Sequence, residues 1–144
     1  EVLMPHNRRI TGRVDHPLSG AKSLKELADA RWTRPSLDDR ESDNDLEAAF
    51  LRYGIELPSV TVQTSSMLVI IQTVANTDLL TVLPDRMFDL RPIAQFCAPL
   101  EHIPPISSDP ICIVYRQGLP LTPLAERFCD RMRNAAQNHL RANA

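Results

Sequence analysis

The chain has 144 residues, enough for one domain with a real core. Sixteen Lys and Arg against 18 Asp and Glu give a net charge of −2 without a basic block, which excludes a nucleic-acid footprint on this chain itself. No apolar run is long enough for a membrane span, and no secretory leader is visible, so the sequence predicts a cytoplasmic protein with no membrane contact. Cys97, Cys112 and Cys129 are odd in number and lie in or beside apolar segments. They read as reduced core thiols. The chain opens on Glu1 rather than Met; excision from a longer sequence explains this more simply than processing.

In chain order, residues 1–7 carry no clear signal. Arg8 to Val14 predicts a short strand, and Asp15 to Gly20 a turn in which Pro17 holds His16 extended. Ser23-Leu24-Lys25-Glu26 is a capping box that opens a short helix. Arg31 to Arg34 predicts a brief strand ended by Pro35. Ser36 to Asn44 is a polar loop. Its acidic residues Asp38, Asp39, Glu41 and Asp43 read as solvated, because a calcium loop needs a glycine and a terminal glutamate that are missing. Ser42 or Asp43 caps a helix with Leu46, Ala49, Phe50 and Tyr53 on one apolar face. Gly54 supplies its left-handed stop, and Ile55 packs back on the last turn.

The stretch from Ser59 to Asp85 organises the chain. Val60 and Val62 alternate with Thr61 and Gln63, the two-residue period of a strand. Thr64, Ser65 and Ser66 then cap a run from Met67 to Val74 that is apolar nearly all round, the pattern of a buried helix. Leu79 to Leu83 is a second β-prone run ended by Pro84. Strand, helix and strand predict a βαβ unit, hence an α/β fold with a mostly parallel sheet flanked by helices. Beyond it, Asp85 to Leu90 predicts one or two helical turns, Leu100 to Ile103 a strand, and Pro110 to Tyr115 a stronger strand. Thr122 caps the last helix, with Pro123 at its first position and Leu124, Phe128, Met132, Ala136 and Leu140 as its apolar stripe.

Chemistry is sparse. There is no G-x-S-x-G, no P-loop and no G-x-G-x-x-G, and no His or Cys spacing suits zinc. Cys97 and His102 are near in sequence, but one such pair is weak evidence of a site, and it reads first as structural or surface. No residue supports an enzyme such as a transferase or deaminase, and none calls for a metal or a cofactor. Binding remains. In open parallel sheets ligands sit at the carboxyl ends of strands, where helix N-termini offer N–H groups to an anion. Thr64, Ser65 and Ser66 fall at such an end, although on their own they read first as a cap. Arg34, Pro35 and Ser36 fall at another, where Arg34 offers a charge for a carboxylate or is simply a surface arginine beside the acidic loop.

The order of pieces resembles one family. DHPLSG (Asp15 to Gly20), SLKELADARW (Ser23 to Trp32) and AAFLRYGIELP (Ala48 to Pro58) are similar to segments of the effector domain of LysR-type transcriptional regulators. So are QTSS (Gln63 to Ser66), VANTDLLTVLP (Val74 to Pro84) and VYRQGLPLTPLAERF (Val114 to Phe128). Where the family carries glycines in the pattern G-L-G, this chain has Thr77-Asp78-Leu79. The resemblance implies a type 2 periplasmic-binding-protein-like lobe and a partial effector-binding domain over residues 1–144. The second lobe would be centred on 15–110, the crossover strands at 8–14 and 110–115, and the C-terminal helix at 122–140. It implies a small-molecule effector, often an organic anion, held between two lobes. Thr64, Ser65, Ser66, Arg34 and Ser36 would face that cleft. It also implies a homo-oligomer, dimer or tetramer, that meets DNA only through an N-terminal domain not in this chain. A solute-binding protein of a transporter with the same fold is the alternative, and it would need an export signal.

Overall fold

A computed structural model describes residues 1–35, 44–56 and 59–142. Among these residues six strands and four α-helices follow in order: β1 (Val2–Arg13), β2 (Arg31–Pro35), α1 (Asn44–Arg52), β3 (Ser59–Thr64), α2 (Met67–Ala75), β4 (Thr81–Pro84), α3 (Arg91–Ala94), β5 (Cys97–Pro99), β6 (Ile106–Cys112) and α4 (Pro123–Ala142). Short 3-10 turns lie at Leu24–Leu27 and Asp85–Asp89. The chain forms two compact units, one of residues 7–108 and one of residues 1–6 with 109–144.

In the unit of residues 7–108, the sheet is mixed rather than mostly parallel. β2 and β3 pair in parallel, with Arg34 opposite Gln63 and Pro35 opposite Thr64. β1 lies between β4 and β5 and runs antiparallel to both, with Thr11 opposite Thr81 on one side and Pro99 on the other. β6 also pairs with β1. A single parallel bridge, Trp32 to Leu80, ties the two sheets together. The parallel expectation failed because a βαβ reading of β3, α2 and β4 sees only its own strands. β1, distant in sequence, occupies the middle of the sheet and points the other way. β3 and β4 are not neighbours either, since β2 lies between them.

The core follows from strand alternation. Ile10, Trp32 and Leu80 point into one cluster with Leu27, Leu46, Phe50, Leu100 and Ile103. Trp32 and Phe50 meet edge to face, ring centroids 5.9 Å apart at 86°. Their next neighbours Thr11, Thr33 and Thr81 are buried on the alternate positions. α2 contributes Ile70 and Val74 to a second cluster with Cys97. α2 is less buried than its composition predicts: Leu68 is 67% exposed and Val69 46%. Helical spacing allows only about one face in three to reach the sheet.

Local signals fared well where backbone chemistry was explicit. Gly54 sits at φ +64°, and the Ile55 N–H donates to the Phe50 carbonyl at 3.1 Å, closing α1 as the glycine predicts. In the capping box, Glu26 Oε1 accepts from the Ser23 hydroxyl at 2.9 Å and from the Lys22 N–H at 3.3 Å, one residue earlier than the standard pattern. Tyr53 is exposed rather than buried with Leu46 and Phe50, because α1 ends at Arg52. Leu100 to Ile103 forms a turn, not a strand, closed by the Ile103 N–H on the Leu100 carbonyl. The late strand spans Ile106–Cys112 instead of Pro110 to Tyr115. The expected Ser42 or Asp43 cap lies outside the described residues.

The smaller unit holds α4. Thr122 caps it, its hydroxyl oxygen accepting from the Ala125 N–H at 3.3 Å. The expected stripe is largely solvent-facing: Leu124, Phe128, Met132 and Leu140 are exposed, while Cys129 and Ala136 are buried. Arg133 on the half-buried side donates to both carboxylate oxygens of Glu1 at 2.6 Å, and this pair holds the Glu1 carboxyl below its usual range. Of the thiols, Cys97 and Cys129 are buried, but Cys112 is exposed, so it is not a core thiol.

Three glycines separate two kinds of constraint. Gly20 and Gly54 both face open space, but only Gly54 has positive φ. A Cβ at Gly12 would stand 2.8 Å from Cγ of the buried His16 ring. In urea denaturation Gly54→Ala is expected to lose about 1 kcal/mol from the left-handed backbone alone. Gly12→Ala should lose up to about 3 kcal/mol by overpacking. Gly20→Ala should stay within about 0.5 kcal/mol of the parent.

Candidate functional site

The carboxyl ends of β2 and β3 lie side by side, because the parallel register places Pro35 opposite Thr64. α2 begins three residues later, at Met67. Ser66 is its N-cap, with extended backbone (φ −94°, ψ 114°), and its hydroxyl oxygen accepts from the Val69 N–H at 3.5 Å. The Ser66 carbonyl takes the first helical bond, from Ile70 at 3.1 Å. Thr64 Oγ1 in turn accepts from the Ser66 N–H at 3.2 Å. Ser65 is exposed and makes no hydrogen bond among the described residues. The cap reading of this cluster is therefore right for Thr64 and Ser66, and both are spent as acceptors toward the backbone. Their O–H protons remain to donate outward.

Arg34 lies one residue before the end of β2, and its guanidinium is engaged. Nη1 lies 2.9 Å from Glu47 Oε1 on α1, with only 16% of the arginine side chain exposed. Its charge is directed at α1 rather than held out for a ligand. Ser36, the remaining predicted site residue, lies outside the described residues, as do the acidic residues of that loop. Sequence reasoning missed Arg8, Thr33 and Thr81. These line a small cavity of about 10 Å³ with Trp32, Pro35 and Leu46. The Thr33 and Thr81 hydroxyls and Trp32 Nε1 are buried without a hydrogen-bond partner among the described residues. The signal available for the threonines was a polar residue inside each of two otherwise apolar strands. A space of this size suits one water molecule and no larger ligand.

Cys97 Sγ faces the Ile71 carbonyl at 3.9 Å, not His102, and burial pushes its thiol up. Among the described residues no group of three or more His, Cys, Asp or Glu could hold a metal ion. No described helix is long and apolar enough to cross a membrane.

The sequence profile of the LysR substrate binding domain matches residues 1–137. The chain belongs to that family. Solved structures share the fold at low identity. The regulatory domain of CcmR from Synechocystis PCC6803, in complex with 2-PG, superposes with a TM-score of 0.73 at 16% identity, over 96% of this chain and 66% of that one. The effector domain of the transcriptional regulator AmpR of Pseudomonas aeruginosa gives 0.66 at 12% identity, over 99% and 67%. Substrate binding domain 2 of GlnP from Lactococcus lactis gives 0.57 at 18% identity, over 99% and 56%. The chain thus spans about two thirds or less of each of these. The α/β, periplasmic-binding-protein-like fold implied by the sequence is the one found.

The family's glycines have a local substitute here. At the end of α2 the Thr77 hydroxyl donates to the Thr73 carbonyl at 2.7 Å, and its oxygen accepts from the Leu79 N–H at 3.2 Å. Asp78 meets Arg13 at 2.9 Å. Asp15 is the one described non-glycine residue with positive φ, so the Thr77-Asp78-Leu79 turn closes without left-handed backbone.

Two measurements check the site's chemistry. Ser66→Ala is expected to lower stability by about 1 kcal/mol through loss of the cap. Ser65→Ala, which removes no internal bond, should stay within about 0.5 kcal/mol; equal losses would show the cap to be misassigned. Ellman's reagent at pH 8 should react promptly with one thiol, Cys112, in the folded chain. Cys97 should react only on unfolding or at higher pH, since its raised pKa keeps the thiolate scarce.

Proposed function

We propose that this chain is the second lobe of the effector-sensing domain of a LysR-type transcriptional regulator. The observation that carries the reading is the edge where Pro35, Thr64, Ser65 and Ser66 meet the start of α2. The cavity beside that edge is about 10 Å³, so a bound effector needs a further surface to enclose it. In this reading that surface is a first lobe, preceded by a winged helix-turn-helix, both N-terminal to residue 1. β1 and β6 are then the crossover strands between lobes. The exposed Leu124, Phe128, Met132 and Leu140 of α4 support the same reading, since a contiguous apolar stripe of this kind marks a contact surface.

The edge chemistry favours an organic anion. Thr64 and Ser66 oxygens already accept from backbone, leaving O–H donors, and Ser65 adds a third. The N-terminus of α2 adds partial positive charge. Arg34 contributes by fixing the end of β2 to α1, not by touching the ligand. Ser36 remains a proposed cleft residue. Effector in the cleft would shift an existing equilibrium between arrangements of a dimer or tetramer, and so the DNA binding of the parent protein in the cytoplasm. The CcmR domain carries 2-PG, and the same general use of the fold is proposed here. The substrate binding domain of GlnP shares the fold and keeps the solute-binding alternative in view, but the family profile that matches 137 of 144 residues is that of the LysR substrate binding domain.

The gene is expected to encode a helix-turn-helix and another βαβ lobe upstream of Glu1; an export signal there would end the regulator reading. Thermal-shift screening of the two-lobed protein against organic acids and sugars should then find an effector, which stabilises by about 2.7 kcal/mol at a hundredfold excess over Kd. For that effector, Ser65→Ala and Ser66→Ala should each weaken binding by about 1 kcal/mol. Unchanged affinity in both would remove them from the site.

A further inference from the structure

The unit of residues 7–108 holds a second, much larger cavity that shares no residue with the edge described above. Its volume is about 670 Å³, within the range of small-molecule pockets. Ile55, Ile103 and Ile106 form part of the lining, and all three belong to or pack against the main hydrophobic cluster. Pro104 and Pro105 add a wall with no N–H donors. Tyr53, 62% exposed, stands at this cavity rather than in the core where helical spacing alone would put it. These walls suit a flat apolar body, and a tyrosine ring offers it an edge or a face.

The charge on the lining is one-sided. Among the described residues of the lining, every charged side chain is a cation: Lys22, Lys25 and Arg52. None of the three side chains forms an ion pair or hydrogen bond among the described residues. Glu26, adjacent in sequence, is off the lining, and its carboxylate is taken up by the Ser23 hydroxyl and the Lys22 N–H. A concave apolar surface rimmed by one sign of charge concentrates field on an anion. We infer that this cavity is a second ligand site, and that it takes an aromatic carboxylate or similarly flat organic anion. The body lies on Tyr53 and the isoleucine walls, and the carboxylate meets Lys22, Lys25 and Arg52. The inference does not depend on the proposed regulator role, because none of its residues belongs to the edge at Thr64–Ser66.

The test is a titration of the full, isotope-labelled chain with 2-naphthoate and, separately, with the neutral 2-naphthylmethanol, read by amide chemical shifts. Naphthoate is expected to move amides of residues 22–25, 48–55 and 103–107, and to bind at least about tenfold more tightly than the alcohol, a ratio worth about 1.4 kcal/mol. The triple variant Lys22→Gln, Lys25→Gln, Arg52→Gln should abolish that ratio while leaving the alcohol's affinity and the unfolding midpoint unchanged. Tyr53→Ala should weaken both ligands. Equal affinity of the two ligands in the parent chain overturns the inference. So does a charge preference that survives the triple variant, shifts centred on 64–69, or no binding up to about 10 mM. Concentration-dependent movement of the same amides without ligand would assign the cavity to a second copy of the chain, and would overturn it equally.

Discussion

The fold depends on one pair of backbone hydrogen bonds. The Leu80 N–H donates to the Arg31 carbonyl at 2.9 Å, and the Leu80 carbonyl accepts from the Thr33 N–H at 2.8 Å. Among the described residues they form the backbone bridge between the parallel pair β2–β3 and the antiparallel set around β1. Two short strands would be marginal alone. Joined at Leu80, they share one buried cluster in which Trp32, Leu80 and Ile10 pack side by side on successive strands. The junction also sets the position of the edge. It fixes β2, β2 fixes the register of β3, and the register brings Thr64 beside Pro35. The position of the edge at Thr64–Ser66 thus follows from where one leucine's backbone is anchored.

Buried threonines accompany that junction. Thr11 and Thr81 face each other across β1 and β4, and Thr33 follows the bridge on β2. All three are inaccessible. Thr11 has a local acceptor, the Arg9 carbonyl at 3.0 Å, whereas Thr33 and Thr81 have none among the described residues. Valine would fill the same volume without the cost of burying a hydroxyl. Hydroxyls concentrated around the small cavity mark the part of the sheet where packing yields to polarity. Thr77 shows the opposite use of the same side chain: fully satisfied, it ends α2 where glycine would otherwise be needed.

What the sequence revealed divides by the range of the interaction. Gly54, the serine at the start of α2 and Thr122 act within four residues, and each does what its chemistry predicts. The partner of a strand is set by residues far away, so the long β1 and its antiparallel neighbours were illegible from Arg8–Val14 alone. Faces were legible only where a core existed to receive them. Leu46 and Phe50 are buried as their spacing indicates, but the equally regular Leu124, Phe128 and Met132 are exposed. Periodicity identifies an apolar face; it does not say which chain covers it. At the edge, hydroxyl identity was readable from sequence, but the diversion of Arg34 to Glu47 was not, since it spans 13 residues.

That diversion connects the two candidate sites through α1. Glu47 holds Arg34 at the edge, while Ala48, Ala49 and Arg52 of the same helix line the larger cavity. α1 is anchored between them by Leu46 and Phe50, both buried. A packed helix moves as a unit, so a displacement that opened the cavity would also pull on the end of β2. If each site is occupied by its own ligand, linkage requires that any effect of one on the other be reciprocal in affinity. The Arg34–Glu47 pair is one contact between α1 and the end of β2. It is a short, partly buried pair holding a helix to a strand end, a more discrete connection than van der Waals packing alone.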